Sequence, residues 1–238
     1  MLSYAVYARE RQLLRVRVCE TNDSLFENES QLHDWAREDE WLKLSFEQIH
    51  VLWNDPRYLP VPEEFAEAGN AGALSAHQFD ISPQEMLRYS DCGMVKLLYA
   101  LNEKAYYAAR SRFPEARHEH TAGRILNWFM DPNIDQNLLV VDYQDSVQFM
   151  VREGDKLQFC QSFPYSNPNE AAYFVLNSME KLAIKRESAT LLTLGISSDS
   201  PLFTLLDTYV RKVQGVKLPL PEALKDEFAL HPLLIALL

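Results

Sequence analysis

The chain has 238 residues, 34 of them acidic and 23 basic, for a formal charge of −11. Such acidity argues against a general binder of duplex nucleic acid, which presents a basic face to the phosphates, and against docking on an anionic membrane. Hydrophobic residues make up 47% and charged residues 24%, enough apolar material to offset the entropy of ordering a folded core.

Residues 3–6 and 13–19 read as paired strands, with Arg9-Glu10-Arg11 as the polar turn between them. Residues 24–43 read as an acidic amphipathic helix, with Leu25, Leu32, Trp35, Ala36 and Leu42 at helical spacing. Its run of Glu27, Glu29, Asp34, Glu38, Asp39 and Glu40 with Trp35 and Trp41 suits a solvated face above buried tryptophans, or a dock for a basic partner. A strand over 46–53 follows. The turn Asn54-Asp55-Pro56-Arg57 leads through Tyr58-Leu59-Pro60-Val61-Pro62 to a helix over 63–68. A hairpin over 85–89 and 94–100 turns at Asp91-Cys92-Gly93; a helix over 102–112, a strand over 116–120 and a helix over 122–130 follow it.

The sharpest break is Asp131-Pro132-Asn133-Ile134-Asp135-Gln136-Asn137, a polar, turn-forming stretch. Beyond it, strands over 138–141, 147–151 and 156–162 are joined by Tyr143-Gln144-Asp145 and Glu153-Gly154-Asp155. Asn167 and Pro168 open a helix over 169–184, a strand spans 189–194, and Ser200 and Pro201 open a helix over 202–213. The order strand, strand, helix, strand, helix thus occurs twice, in residues 1–131 (with an inserted hairpin) and 132–238.

Cys19, Cys92 and Cys160 are odd in number and far apart. They read as reduced, buried thiols of a cytoplasmic protein, not a disulfide framework or zinc site. The N-terminus lacks a basic region before a long apolar run, so no secretory leader is expected. The apolar tail at 232–238 is far shorter than the ~20 residues a membrane-spanning helix needs, so no membrane insertion is expected.

Four stretches carry a resemblance: Leu138-Leu139-Val140-Val141-Asp142; Phe159-Cys160-Gln161-Ser162-Phe163-Pro164-Tyr165; Leu194-Gly195-Ile196-Ser197-Ser198-Asp199-Ser200-Pro201-Leu202; and Tyr58-Leu59-Pro60-Val61-Pro62-Glu63-Glu64-Phe65. Through them nearly the whole chain resembles an uncharacterised bacterial family of unknown function with an actin-like ATPase fold. It is distantly similar to the actin-like proteins of pilus assembly and type II secretion. The resemblance implies an α/β fold of two tandem ribonuclease-H-like halves, with mixed sheets flanked by helices.

An ATPase of that architecture grips phosphate with Asp-x-Gly turns, whose glycine lets backbone N–H groups approach the anion. Here the first turn reads Tyr7-Ala8-Arg9-Glu10-Arg11 and the second Asp142-Tyr143-Gln144-Asp145-Ser146. The carboxylate survives only in the second, and bulky residues replace the glycine in both. The double glycine of the adenosine site is reduced to Gly195 followed by Ile196. Glycine overall is 7 of 238, about 3% against a typical ~7%.

These residues lead to a non-catalytic scaffold or regulatory protein with no cofactor. Its cleft would be partly filled by Tyr143, and it would bind a protein partner through apolar surface such as residues 233–238. A second copy of the chain is among the partners such a surface admits. The alternative is an ATPase or sugar-kinase relative that holds ATP with Mg2+ through Asp142, Ser146, Gly195, Ser197 and Ser198. A weaker alternative is a metal-dependent nuclease using Asp142 and Asp145, chemistry that needs further carboxylates around two metals about 4 Å apart. His118 and His120 share one face of a strand and form the closest histidine pair, but no further ligand has clear spacing. No nucleophile elbow, P-loop or dinucleotide fingerprint is present.

Overall fold

The computed structural model describes residues 2–8, 13–19, 37–76, 78–93 and 95–216. The turn at Arg9-Glu10-Arg11, residues 24–36 of the acidic helix, Met94 and the apolar tail at 232–238 lie outside the described residues. The chain gathers into two compact units: Met1–Asp55 with Val61–His120, and Pro56–Pro60 with Thr121–Leu238.

In the first unit, β1 (Leu2–Tyr7) pairs antiparallel with β2 (Leu13–Cys19), Leu2 opposite Cys19, as the alternation requires. The Tyr4 hydroxyl donates to Asp39 Oδ2 at 2.8 Å. The acidic segment reaches the described residues as helix only at Arg37 and Glu38, then makes a 3-10 turn at Trp41–Lys43. β3 is shorter than the sequence suggests, His50–Trp53, because its parallel partner β7 (Arg117–His120) is only four residues long.

A second sheet has the order β4 (Tyr58–Pro62), β6 (Val95–Asn102), β5 (Glu85–Asp91). The sequence reading treats 58–62 as a lead-in to the helix over 63–68. The structure makes it a strand at the sheet edge, where a missing N–H is tolerated. The helix expected over 63–68 is instead a 3-10 turn at Glu63–Phe65, broken by extended Glu67. No side chain caps it, and Gly69 and Gly72 weaken helix propagation beyond it. The short α1 (Ala71–Ser75) follows. α2 (Glu103–Arg112) starts where Asn102 accepts the Ala105 N–H, the capping its side chain is suited to.

The second unit opens with α3 (Thr121–Phe129) and is built on a five-stranded sheet. Its order is β10 (Lys156–Pro164), β9 (Ser146–Glu153), β8 (Leu138–Asp142), β11 (Thr190–Leu194), β12 (Lys212–Gly215). β8, β11 and β12 are parallel, while β9 and β10 run antiparallel to their neighbours. β12 corrects the expected helix over 202–213. Leu202, Leu206, Val210 and Val213 keep helical spacing throughout, yet α5 (Pro201–Tyr209) stops at extended Val210. The next residues gain a ladder with β11, Thr190 opposite Lys212.

α4 (Pro168–Lys181) is capped by Asn167, whose side chain accepts from Asn169 N and Glu170 N. With α5 it covers one face of the sheet: Val147, Phe149 and Val151 pack with Val140, Leu191, Val175, Met179, Leu202 and Leu206. Each such burial contributes about 1.5–3 kcal/mol. By alternation Ser146, Gln148, Met150 and Arg152 take the opposite face of β9, and all four are buried.

Arg152 is 7% exposed. Nη1 donates to Phe129 O at 2.8 Å and Asp131 O at 3.0 Å, and Nε donates to Gln136 O at 3.1 Å. Its guanidinium also lies 5.2 Å from the Phe129 ring centroid. Helix α3 ends at Phe129, where orphan carbonyls and the helix dipole favour a cation. One buried arginine thus ties the polar 131–137 stretch to the sheet. Arg152→Met strands those carbonyls and is expected to cost about 3 kcal/mol, measured by urea unfolding at neutral pH.

Candidate functional site

β8 and β11 are adjacent and parallel, Val141 opposite Leu194. Asp142 and Gly195 therefore leave the carboxyl ends of neighbouring strands together, the place where open α/β sheets bind ligands. Of the sequence-predicted residues, Asp142 and Ser146 belong to the β8–β9 hairpin, and Gly195, Ser197 and Ser198 to the turn after β11. Gly195 takes φ 74°, which glycine adopts without strain. Ile196 next to it is buried in the core. Ser197 hydrogen-bonds to Asp199, and Ser200 caps α5 by accepting from Phe203 N at 3.2 Å.

The β8–β9 turn closes on itself. Asp142 Oδ1 accepts from Gln144 N at 2.8 Å and from the Tyr165 hydroxyl at 2.7 Å. Tyr143 N donates to Ser146 O at 2.9 Å, and Tyr165 N to Asp145 O at 3.1 Å. Ser146 is buried and donates to Asp145 Oδ1 at 2.9 Å. Gln144 itself holds φ 74°, a conformation that costs a side-chain-bearing residue roughly 1 kcal/mol or more. The position that the resemblance assigns to the glycine of a phosphate turn thus presents a left-handed glutamine.

Behind the turn lies a polar chain. The Tyr143 hydroxyl donates to Gln148 Oε1 at 2.9 Å, and Gln148 Nε2 donates to the Tyr58 hydroxyl at 2.5 Å. Cys160 Sγ lies 3.8 Å from that hydroxyl and 3.6 Å from Gln148 Nε2. Gln148 is wholly buried and Tyr58 nearly so. Burial pushes the hydroxyls of Tyr58 and Tyr143 up, and the Cys160 thiol to about 11. Burial also raises Asp142, against the lowering effect of its Tyr165 and Gln144 hydrogen bonds. At neutral pH the chain from Tyr143 to Cys160 carries no charge. Sequence reasoning does not pick out Tyr58, Gln148 or Tyr165; the signal for Gln148 is an amide set in the apolar run Val147 to Val151.

The histidine strand is occupied by internal contacts. His120 is 1% exposed; its Nε2 lies 3.0 Å from Asp55 O, and its N–H donates to Ser90 Oγ at 3.2 Å. His118 Nδ1 accepts from Trp53 Nε1 at 3.3 Å, and Glu119 pairs with His50 at 2.6 Å. Among the described residues no three histidine, cysteine or acidic side chains gather as a metal site. A shallow cavity of about 700 Å3 opens at the amino ends of β8 and β11, rimmed by Asp135, Glu153, Gln158, Lys185 and Lys212. It sits at the opposite end of the strands from Asp142 and Gly195 and is rimmed by exposed side chains, so the closed turn is the better-formed constellation.

Residues 1–213 match the family described as protein of unknown function (DUF3822). The chain belongs to the DUF3822 family. No curated protein matches this DUF3822 chain in sequence. A Bacteroides thetaiotaomicron protein with an actin-like ATPase fold and unknown function superposes with TM-score 0.79 at 20% identity, over 90% of this chain and 86% of that one. The PilM–PilN type IV pilus biogenesis complex gives TM-score 0.57 at 14% identity, over 99% and 94%. The cytoplasmic domain of EpsL, an inner-membrane component of the Vibrio cholerae type II secretion system, gives 0.42 at 8%, over 92% and 79%. By its likeness to the Bacteroides thetaiotaomicron protein, the DUF3822 chain has an actin-like ATPase fold. No helix among its described residues is long and apolar enough to cross a membrane.

Tyr143→Phe leaves the buried Gln148 oxygen without its donor and is expected to cost about 1–3 kcal/mol in urea unfolding. His120 gives a pH signature. Burial lowers it from 6.5 to about 4, so between those values the unfolded chain binds a proton that the folded chain refuses. Stability is therefore full above pH 6.5 and falls by about 3 kcal/mol as pH drops toward 4. His120→Gln should remove that part of the slope in unfolding curves measured across the window.

Proposed function

We propose that this protein is a non-catalytic scaffold or regulatory protein that binds a protein partner on an actin-like fold, without using nucleotide. The observation that carries the reading is the closed β8–β9 turn. Asp142 is engaged by Tyr165 and by Gln144 N, Tyr143 is held by Gln148, and Gln144 fills the glycine position. A phosphate-gripping turn works through exposed backbone N–H groups. Here the Tyr143 and Gln144 amides are already bonded within the turn. Asp142 and Asp145 would add negative charge beside a triphosphate. The residues present do not fit ATP with Mg2+ gripped at this turn. That a solved relative of similar fold is part of the PilM–PilN complex supports a protein partner.

The test is the melting temperature of the full chain with millimolar ATP, ADP and Mg2+. A ligand at a hundred times its Kd stabilises by about 2.7 kcal/mol, which for a chain of this size raises Tm by roughly 5–11 °C. The expected result is an unchanged Tm with each nucleotide. A rise of that size, abolished by Asp142→Asn, would instead establish the ATPase or sugar-kinase alternative built on Asp142, Ser146, Gly195, Ser197 and Ser198.

A further inference from the structure

The first unit holds a group of basic side chains that nothing above uses. Tyr106 is buried on α2, with the half-exposed Tyr107 edge-on to it at 5.5 Å between centroids. Arg88, on β5, places its guanidinium 4.8 Å from the Tyr106 ring centroid. Arg110, one turn along α2, puts Nη1 3.4 Å from the Tyr106 hydroxyl. The His118 ring lies 4.9 Å from the Tyr106 ring and stacks on Trp53 at 5.9 Å. We propose that Arg88, Arg110 and His118, gathered around Tyr106, form an oxyanion-binding site that takes a carboxylate or a phosphate group.

Two observations carry it. The first concerns His118. An indole N–H can only donate, so the 3.3 Å contact from Trp53 makes His118 Nδ1 the acceptor and puts the neutral ring's proton on Nε2. That Nε2 is buried and has no hydrogen-bond partner. A buried donor left without an acceptor is uncommon and points to a missing group. The second concerns charge. In a chain of net charge −11, neither Arg88 nor Arg110 has a carboxylate within ion-pair distance among the described residues. The acid nearest in sequence to His118, Glu119, is paired with His50.

The three groups suit an anion. A guanidinium offers a planar fork of donors that matches a carboxylate or a phosphate face. Tyr106 orients both arginines, one over its ring and one at its hydroxyl, while Trp53 fixes the imidazole. Arg110 is exposed and Arg88 half-buried, so both guanidinium groups meet solvent, and a bound anion would supply the acceptor that the imidazole N–H lacks. Burial and the two arginine charges lower the His118 pKa, in keeping with a site that lacks its counter-charge.

The test is a titration of the isotope-labelled full chain with sodium phosphate, and separately with sodium acetate, against sodium chloride at equal ionic strength. Binding is read from the His118 imidazole and the Arg88 and Arg110 Nε resonances. We expect saturable shifts with phosphate, acetate or both; the anion that shifts them identifies the source. In the double variant R88Q and R110Q, affinity should fall by roughly tenfold or more with the two forks removed. Should that variant fail to fold, R110Q alone changes an exposed residue and must still weaken binding several-fold. Shifts no larger than with chloride, or shifts that persist in the variants, overturn the proposal.

Discussion

A carboxamide sealed from water needs partners for its oxygen and its N–H donors, and Gln148 meets that demand with two tyrosines and a thiol. Much of the second unit's form follows. Tyr143 must turn its hydroxyl back toward β9, which fixes the first residue of the β8–β9 turn. Tyr58, in the Pro56–Pro60 segment that counts with the second unit, brings its hydroxyl to the same amide. The Tyr58 hydroxyl also lies 3.8 Å from the Cys160 sulfur, and polarisation along such a linked set of hydrogen bonds reinforces each bond.

Most strands and the helices α2, α3 and α4 were legible in the sequence, because each carries an apolar period. Asn102, Asn167 and Ser200 each accept N–H groups of the helix they open, as their side chains suggest. The misreadings share a cause: local pattern was followed where tertiary pairing decided the outcome. Val210 and Val213 continue the spacing of α5, but residues 212–215 gain more as an edge strand beside β11 than as a further helical turn. Pro60 and Pro62 argue against a strand unless it lies at an edge, and edge position is not written in a single sequence. The substitutions in the phosphate turn could be read from Tyr143 and Gln144. The contacts that lock them, Gln148 with Tyr58 across 90 residues and Tyr165 with Asp142 across 23, are distant in sequence and could not.

The left-handed Gln144 shows how that turn is maintained. A residue with a Cβ at φ 74° is strained, and strain persists only where surrounding contacts over-determine it. Asp142 supplies that constraint by accepting the Gln144 N–H, and Tyr165 holds Asp142 in turn. A glycine would relieve the strain, but its backbone N–H would still be taken up by Asp142. The carboxylate, not the side chain at 144, is what keeps this amide from an anion.

The basic residues divide in the same physical terms. Arg152 is buried, yet its charge is met by backbone carbonyls at the end of α3, so it serves cohesion. Arg112 likewise spends a donor on Leu42 O at 2.9 Å. Arg88 and Arg110 differ in having no carboxylate within ion-pair distance among the described residues: Arg88 lies over the Tyr106 ring and Arg110 donates to its hydroxyl. Cation–π contact stabilises a guanidinium by only about 0.5–2 kcal/mol, less than a well-formed carboxylate fork in a sheltered site. Among the described residues of an acidic chain, these two arginines lack a carboxylate partner and lie beside an imidazole N–H without an acceptor, and the proposed oxyanion site rests on that pairing of unmet donors.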